Sequence, residues 1–193
     1  MRVSIIKGAL VGLATALTAQ AAWAADETPA ASGPPVAGVC ILSQQTLISR
    51  SKVGIAASGR LHDLAQASQT EFDTEKSGLE SRGKALAAKR TTLPPAQLQA
   101  QGMALNQRVQ GLQRQAAIRQ RQLEDTRAKA INRVVEVAQP FITQALTTHG
   151  CGLLIAREAI LGGNLTNDLT TEILAAMDAK ATPISITLEP ASR

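Results

Sequence analysis

The most constraining feature of this chain is the stretch from Thr46 to His149, which has helical periodicity and almost no aromatic side chains. Two short apolar segments hold it: Val39-Cys40-Ile41-Leu42 before, and Cys151-Gly152-Leu153-Leu154-Ile155-Ala156 after. A packed domain usually spends aromatics on its core, because each ring buries roughly 150–250 Å². Here there are two Phe, no Tyr and one Trp, and Trp23 lies in a leader. The middle therefore reads as a protruding arm and the flanking strands as its base. The fold class is α+β: a small β-sheet body carrying a long antiparallel, coiled-coil-like helical hairpin.

Residues 1–24 read as a secretory signal. Arg2 and Lys7 form the positive start, Gly8 to Gln20 is an uncharged apolar run, and Ala22-Trp23-Ala24 is a small-x-small site. Cleavage is expected after Ala24. The apolar run is shorter than the roughly 20 residues that a membrane span needs. The mature chain is thus expected to be exported and soluble, without an anchor. Residues 25–38, with Gly33-Pro34-Pro35, read as a flexible linker. Loss of Arg2 and Lys7 leaves eighteen basic against fifteen acidic side chains, a net +3. That mild excess is a solvated helix surface or an attraction for acidic partners. An exported chain has little occasion to meet nucleic acid.

Cys40 and Cys151 stand one in each flanking segment. Export permits a disulfide, and neighbouring strands bring Cα atoms close enough for one. Two buried thiols acting as small apolar residues are the alternative. Two cysteines without nearby His or a CxxC spacing are too few to hold a metal.

The outgoing helix is expected from about Thr46 to Arg90, with Leu61, Ala65, Phe72, Leu79 and Leu86 on its apolar stripe. Ser68, Glu75 and Arg82 make half of that seam polar, and Gly83 and Gly102 weaken it further. Thr91-Thr92-Leu93-Pro94-Pro95 forms the tip, since proline breaks a helix interior but suits a first turn. The return helix is expected over Ala96–Thr147. Leu98, Leu105 and Leu112 form one seven-step row; Val109, Ala116, Leu123, Ala130 and Val137 form another. Glutamines and Arg108, Arg114, Arg119, Arg121 and Arg127 crowd the other faces, and Pro140 is expected to bend the helix. At 1.5 Å per residue the arm would reach roughly 65–75 Å. So thin a structure has few contacts at its tip, which favours local opening.

His149-Gly150 stops the arm. Cys151–Ala156 reads as a strand, Arg157–Leu161 as a second, and Gly162-Gly163-Asn164 as a turn. Body strands thus fall near 39–42 and 151–161. Thr170 is the expected N-cap of a short helix over about 171–178, with Ile173, Leu174 and Met177 on its apolar face. In the tail, 179–193, Ile184, Ile186 and Leu188 alternate like an edge strand.

The order strand, long hairpin, paired strands and short helix resembles the OmpH/Skp-like periplasmic chaperone family. Gly38–Leu42, Gln44-Gln45-Thr46-Leu47, Leu153-Leu154-Ile155, Ala159-Ile160 and Asp168-Leu169-Thr170-Thr171-Glu172-Ile173-Leu174 carry the resemblance, over about Val39 to Met177. It implies a homotrimer whose strands form one body and whose three tentacle-like arms enclose unfolded outer-membrane β-barrel proteins, without nucleotide or other cofactor. Val39, Ile41, Leu153 and Ile155 would then form the trimer core. Arg108, Arg114, Arg119 and Arg121 would contact clients, and the basic surface would approach anionic membranes. The chain departs from the family at Ala156-Arg157, often acidic there, in an arm rich in Gln and Arg instead of Lys, and in its added linker and tail. A structural or adaptor protein whose hairpin docks on one folded envelope partner is the alternative.

Catalysis is not expected. His62 and His149 lack a nucleophile or acid brought to them in a pocket. Glu71, Asp73 and Glu75 form a helix surface without the further ligands of an oxygen cage.

Overall fold

The computed structural model describes residues 33–191. The leader, its cleavage site and most of the linker lie outside them. Strand β1 (Val39–Leu42) pairs in parallel with β2 (Leu153–Ala156), Val39 opposite Leu153 and Ile41 opposite Ile155. Parallel neighbours require a long crossover, and the arm is that crossover. The other edge of β1 is also occupied. The Ile41 amide donates to the Asn167 carbonyl at 3.0 Å, and the Leu169 amide donates to the Ile41 carbonyl at 2.9 Å.

Helix α1 (Gln44–Arg50) begins at Ser43, whose Oγ accepts the Thr46 amide at 3.1 Å. Helix α2 (Lys52–Ala88) begins at Ser51, whose Oγ accepts the Gly54 amide at 3.0 Å. The expected single helix from Thr46 to Arg90 is therefore corrected to two. Ser51 has extended backbone angles and caps the second helix instead of continuing the first. The Asp178 carboxylate accepts the Lys52 amide at 2.7 Å, an anion placed where the helix end is positive.

After the turn that follows Ala88, α3 (Pro95–Thr148) starts with Pro95 in its first turn and runs through Pro140 without interruption. With 37 and 54 residues, α2 and α3 are about 55 and 80 Å long at 1.5 Å per residue. They touch along their lengths. Arg119 meets Ser68 and Glu71, and Gly83 lies beside Leu105, so rising numbers on α2 meet falling numbers on α3.

The core sits at the base, where every element meets. Cys40, Leu42, Leu47, Val53 and Ala57 pack with Val134, Ala138, Ile142 and Ala145 of α3 and with Leu169, Ile173 and Met177. The last two lie on α4 (Thr170–Lys180), whose inner face they form.

Three further expectations change. Arg157–Leu161 is not a strand: Arg157–Ala159 is a short 3-10 turn. Its charged side chains are drawn to Asp168 and Ser43, and the free edge of β1 is already taken by Asn167–Leu169. Thr170 is the first helical residue and not the cap. Leu169 takes the cap position without a side-chain bond, and the Asp168 carboxylate one residue earlier accepts the Thr170 amide at 2.9 Å. Among its described residues the tail joins no sheet; it crosses the root of the arm, because side chains of α2 and α3 bind its backbone.

Candidate functional site

Two helices alone can share only a narrow apolar stripe. On α2 that stripe is Leu61, Leu64, Ser68, Phe72, Leu79 and Leu86, all half-buried or buried. On α3 the row Leu98, Leu105, Leu112 continues at seven-residue steps into Arg119 and Thr126. The second row expected on α3 does not all enter this seam: Val109 and Ala116 are exposed, while Leu123, Ala130 and Val137 nearer the base are covered. Glu75 and Arg82 are also exposed. They line an open groove with Arg108, Leu112 and Gln115.

The seam turns polar in mid-arm. The Arg119 guanidinium donates to Ser68 Oγ at 3.2 Å, lies 3.6 Å from the Glu71 carboxylate and stands 6.0 Å above the Phe72 ring. The Ser68 hydroxyl donates to the Leu64 carbonyl at 2.8 Å, so its burial leaves no unpaired group. Arg119 is thus a seam residue. Arg114 and Arg121 are exposed and, seven residues apart, share the outer face. Arg108, eleven residues before Arg119, returns to the seam side. The four arginines do not form one patch. The exposed surface of α3 instead mixes Arg and Gln with single apolar side chains, Met103, Val109 and Ile118.

At the base, Ile41 is buried, Val39 and Ile155 are half-buried, and Leu153 is 55% exposed. The sheet has two strands among the described residues, so β2 has one edge without a strand neighbour. Cys40 and Cys151 are joined, with Cα atoms 5.8 Å apart.

A polar knot ties this base together. Asp168 pairs with Arg157 and accepts from the Thr170 amide and hydroxyl. Thr170 Oγ1 in turn accepts the Ser43 amide at 2.8 Å, and Ser43 Oγ donates to Glu158. Burial pushes the Asp168 carboxyl up, but the Thr170 hydroxyl, the Thr170 amide and Arg157 outweigh it and hold it below its ordinary value. The Ser43 hydroxyl does the same for Glu158. Charge and geometry here brace the start of α1 against α4. Sequence reasoning missed the role of Asp168, although a carboxylate two residues before a helical Thr is a recognisable local signal.

The tail is the other contact that periodicity did not place. From Ile184 to Leu188 burial alternates residue by residue, Ile186 being deepest. Arg60 donates to the Ile186 carbonyl at 3.3 Å, Gln122 donates to the Glu189 carbonyl at 2.8 Å, and the Glu189 amide donates to Thr126 Oγ1 at 2.9 Å. Lys129 pairs with the Glu189 carboxylate at 2.8 Å.

His62 is exposed on α2, and His149 Nε2 lies 2.7 Å from Glu172, linking the end of α3 to α4. Glu71 faces Arg119, and Asp73 accepts from Gln69. Among the described residues no cluster of three or more His, Cys, Asp or Glu is placed to hold a metal, and no helix is long and apolar enough to cross a membrane.

The family described as Outer membrane protein (OmpH-like) matches residues 38–177. The fold is similar to a crystal structure from Caulobacter crescentus CB15, described as a candidate OmpH-like outer membrane chaperone. The two are 33% identical with a TM-score of 0.78, over 82% of this chain and 94% of that one. No curated protein matches.

Proposed function

This chain belongs to the OmpH-like outer membrane protein family, and from that membership we propose that it is an ATP-independent periplasmic holdase for unfolded outer-membrane β-barrel proteins. The observation that carries the reading is the surface of the arm. Two long helices share a narrow seam, and the exposed surface of α3 scatters Met103, Val109 and Ile118 among Arg and Gln. Such a surface offers many weak contacts and, in mid-arm, only an open groove. Weak contacts held at high effective concentration retain a client without a specific sequence. Unfolded barrels need that service, because their alternating strands otherwise pair edge to edge and aggregate.

The working form is a homotrimer. The free edge of β2 and the exposed Leu153 give neighbouring subunits a surface to cover, and Val39, Ile41 and Ile155 complete the shared core. Three antiparallel hairpins then enclose the client. The exposed Val109 and Ala116 lie on the side that a wider bundle would use. Residues 1–24 direct export and are removed after Ala24. Arg114 and Arg121 contribute long-range attraction for acidic clients and anionic membrane surfaces, weakened by salt.

The test is the mass of the mature protein, alone and mixed with a urea-unfolded barrel protein diluted to low denaturant. A trimer that keeps the barrel protein soluble without nucleotide is the expected result. A monomer or dimer that lets it precipitate overturns the reading and points to a folded envelope partner.

A further inference from the structure

The tail shows how this surface can take hold of a polypeptide. Residues 184–188 alternate apolar and polar, Ile184, Ser185, Ile186, Thr187, Leu188, and their burial alternates in step. That is the pattern of a β-barrel strand, apolar on one face and polar on the other. The three hydrogen bonds that hold the tail, from Arg60 to the Ile186 carbonyl, from Gln122 to the Glu189 carbonyl and from the Glu189 amide to Thr126, address its main chain, and one ion pair, Lys129 with Glu189, addresses a side chain. Main-chain recognition is indifferent to sequence, and the seat for Ile186 asks only for an apolar side chain of suitable size. The segment lies across both α2 and α3, at the root of the arm.

We propose that this seat at the arm root is a binding site for extended segments with alternating apolar residues, and that the tail is its built-in, displaceable occupant. The occupant to which the proposal commits is a strand of an unfolded barrel protein, and to that extent it rests on the holdase reading above. In the free protein the tail covers Ile186's seat from water. In the loaded protein a client strand takes its place, and the tail is released. The seat acts as a point of capture from which the rest of the client enters the arms.

The decisive probe is a fluorescein-labelled peptide of residues 182–191, offered to the mature chain and to one ending at Ala181. A seat occupied nine-tenths of the time by its own tail lowers apparent affinity about tenfold. The shortened chain should therefore bind the peptide about ten times more tightly than the intact chain. The peptide carrying Ile186→Asp should not bind. An unfolded barrel protein should displace the wild-type peptide from the shortened chain. Full-length Ile186→Asp frees the seat without shortening the chain and should behave likewise, should truncation disturb folding.

In the intact protein, hydrogen exchange at the Glu189 amide should accelerate on adding either excess peptide or the barrel protein. Absence of peptide binding to both folded variants overturns the proposal. So does a bound barrel protein that leaves Glu189 exchange unchanged, which would make the tail a fixed clasp. Failure of the barrel protein alone to bind rejects the holdase reading, while the peptide results still decide the seat.

Discussion

Ser51 and Gly54 fix the point where the arm leaves the body: the serine hydroxyl accepts the glycine amide, and the glycine Cα lies against the Ile48 carbonyl. A Cβ on residue 54 would stand 1.8 Å from that oxygen. Because the obstacle is backbone, it cannot rotate aside. Gly54→Ala should cost about 3 kcal/mol, the upper end of ordinary overpacking, and Ser51→Ala about 1 kcal/mol through the lost cap. Urea unfolding measures both. A Gly54→Ala midpoint equal to wild type would contradict the close approach.

Joining Cys40 to Cys151 closes a loop across a sequence separation of 111 residues. Constraint of so long a loop in the unfolded chain is worth about 4–5 kcal/mol in the chain-entropy picture. Reductant, or Cys40→Ser with Cys151→Ser, should lower the urea midpoint strongly while leaving the far-ultraviolet spectrum at low denaturant helical. Equal midpoints with and without reductant would show that the bond contributes nothing.

Acid should loosen the base through Asp168. Its folded pKa lies below its ordinary value of 3.8. The unfolded state therefore takes up the proton first as pH falls. The stabilisation is complete above the ordinary carboxylate range and disappears as pH drops through the lower folded value. Glu158 adds to the same trend. Asp168→Ala should lose about 1 kcal/mol at pH 7 through the missing hydrogen bond to the Thr170 amide and show a flatter fall in stability as pH drops below the ordinary carboxylate range. An acid limb as steep in the variant as in the wild type would assign the loss to other carboxylates.

Assembly should depend on the face shared by Ile155 and Leu153. Ile155→Asp places a charge where a subunit core would form, and an unpaired buried charge costs about 3–5 kcal/mol. Sedimentation should show the proposed trimer lost. Persistence of a trimer in Ile155→Asp would move the interface elsewhere.

The arginines should separate by face. Arg119→Ala removes the contacts to Ser68, Glu71 and Phe72. About 1 kcal/mol of local arm stability should go with it, visible as faster amide exchange in mid-arm. Replacing Arg114 and Arg121 with Gln should leave stability within about 0.5 kcal/mol and weaken the salt dependence of client capture. The reverse assignment of effects would contradict the placement of these side chains.

What the chain's letters disclosed follows from the range of the forces involved. Pro94-Pro95 marked the tip and the seven-step leucines marked α3, because both act on neighbouring turns of backbone. The break at Ser51 was hidden because the apolar stripe legible in the sequence begins only at Leu61, while the extended backbone of Ser51 and its cap on Gly54 show only in the structure. Val109 and Ala116 read as seam because periodicity records apolar rows and not how many partners a helix meets. Arg157–Leu161 reads as a strand until Asn167–Leu169 is seen occupying the second edge of β1. The alternation of Ile184, Ile186 and Leu188 was legible, yet nothing local says whether an extended segment meets a sheet or the polar side chains of two helices.

The parallel pairing of β1 with β2 makes the whole arm an excursion that departs from and returns to one fixed doorway. Its reach is consequently a free variable. Removing seven residues from each leg would preserve the seam and shorten the arm by about 10 Å, with Val39 still facing Leu153. The length of the arm can thus change without renegotiating any contact in the base.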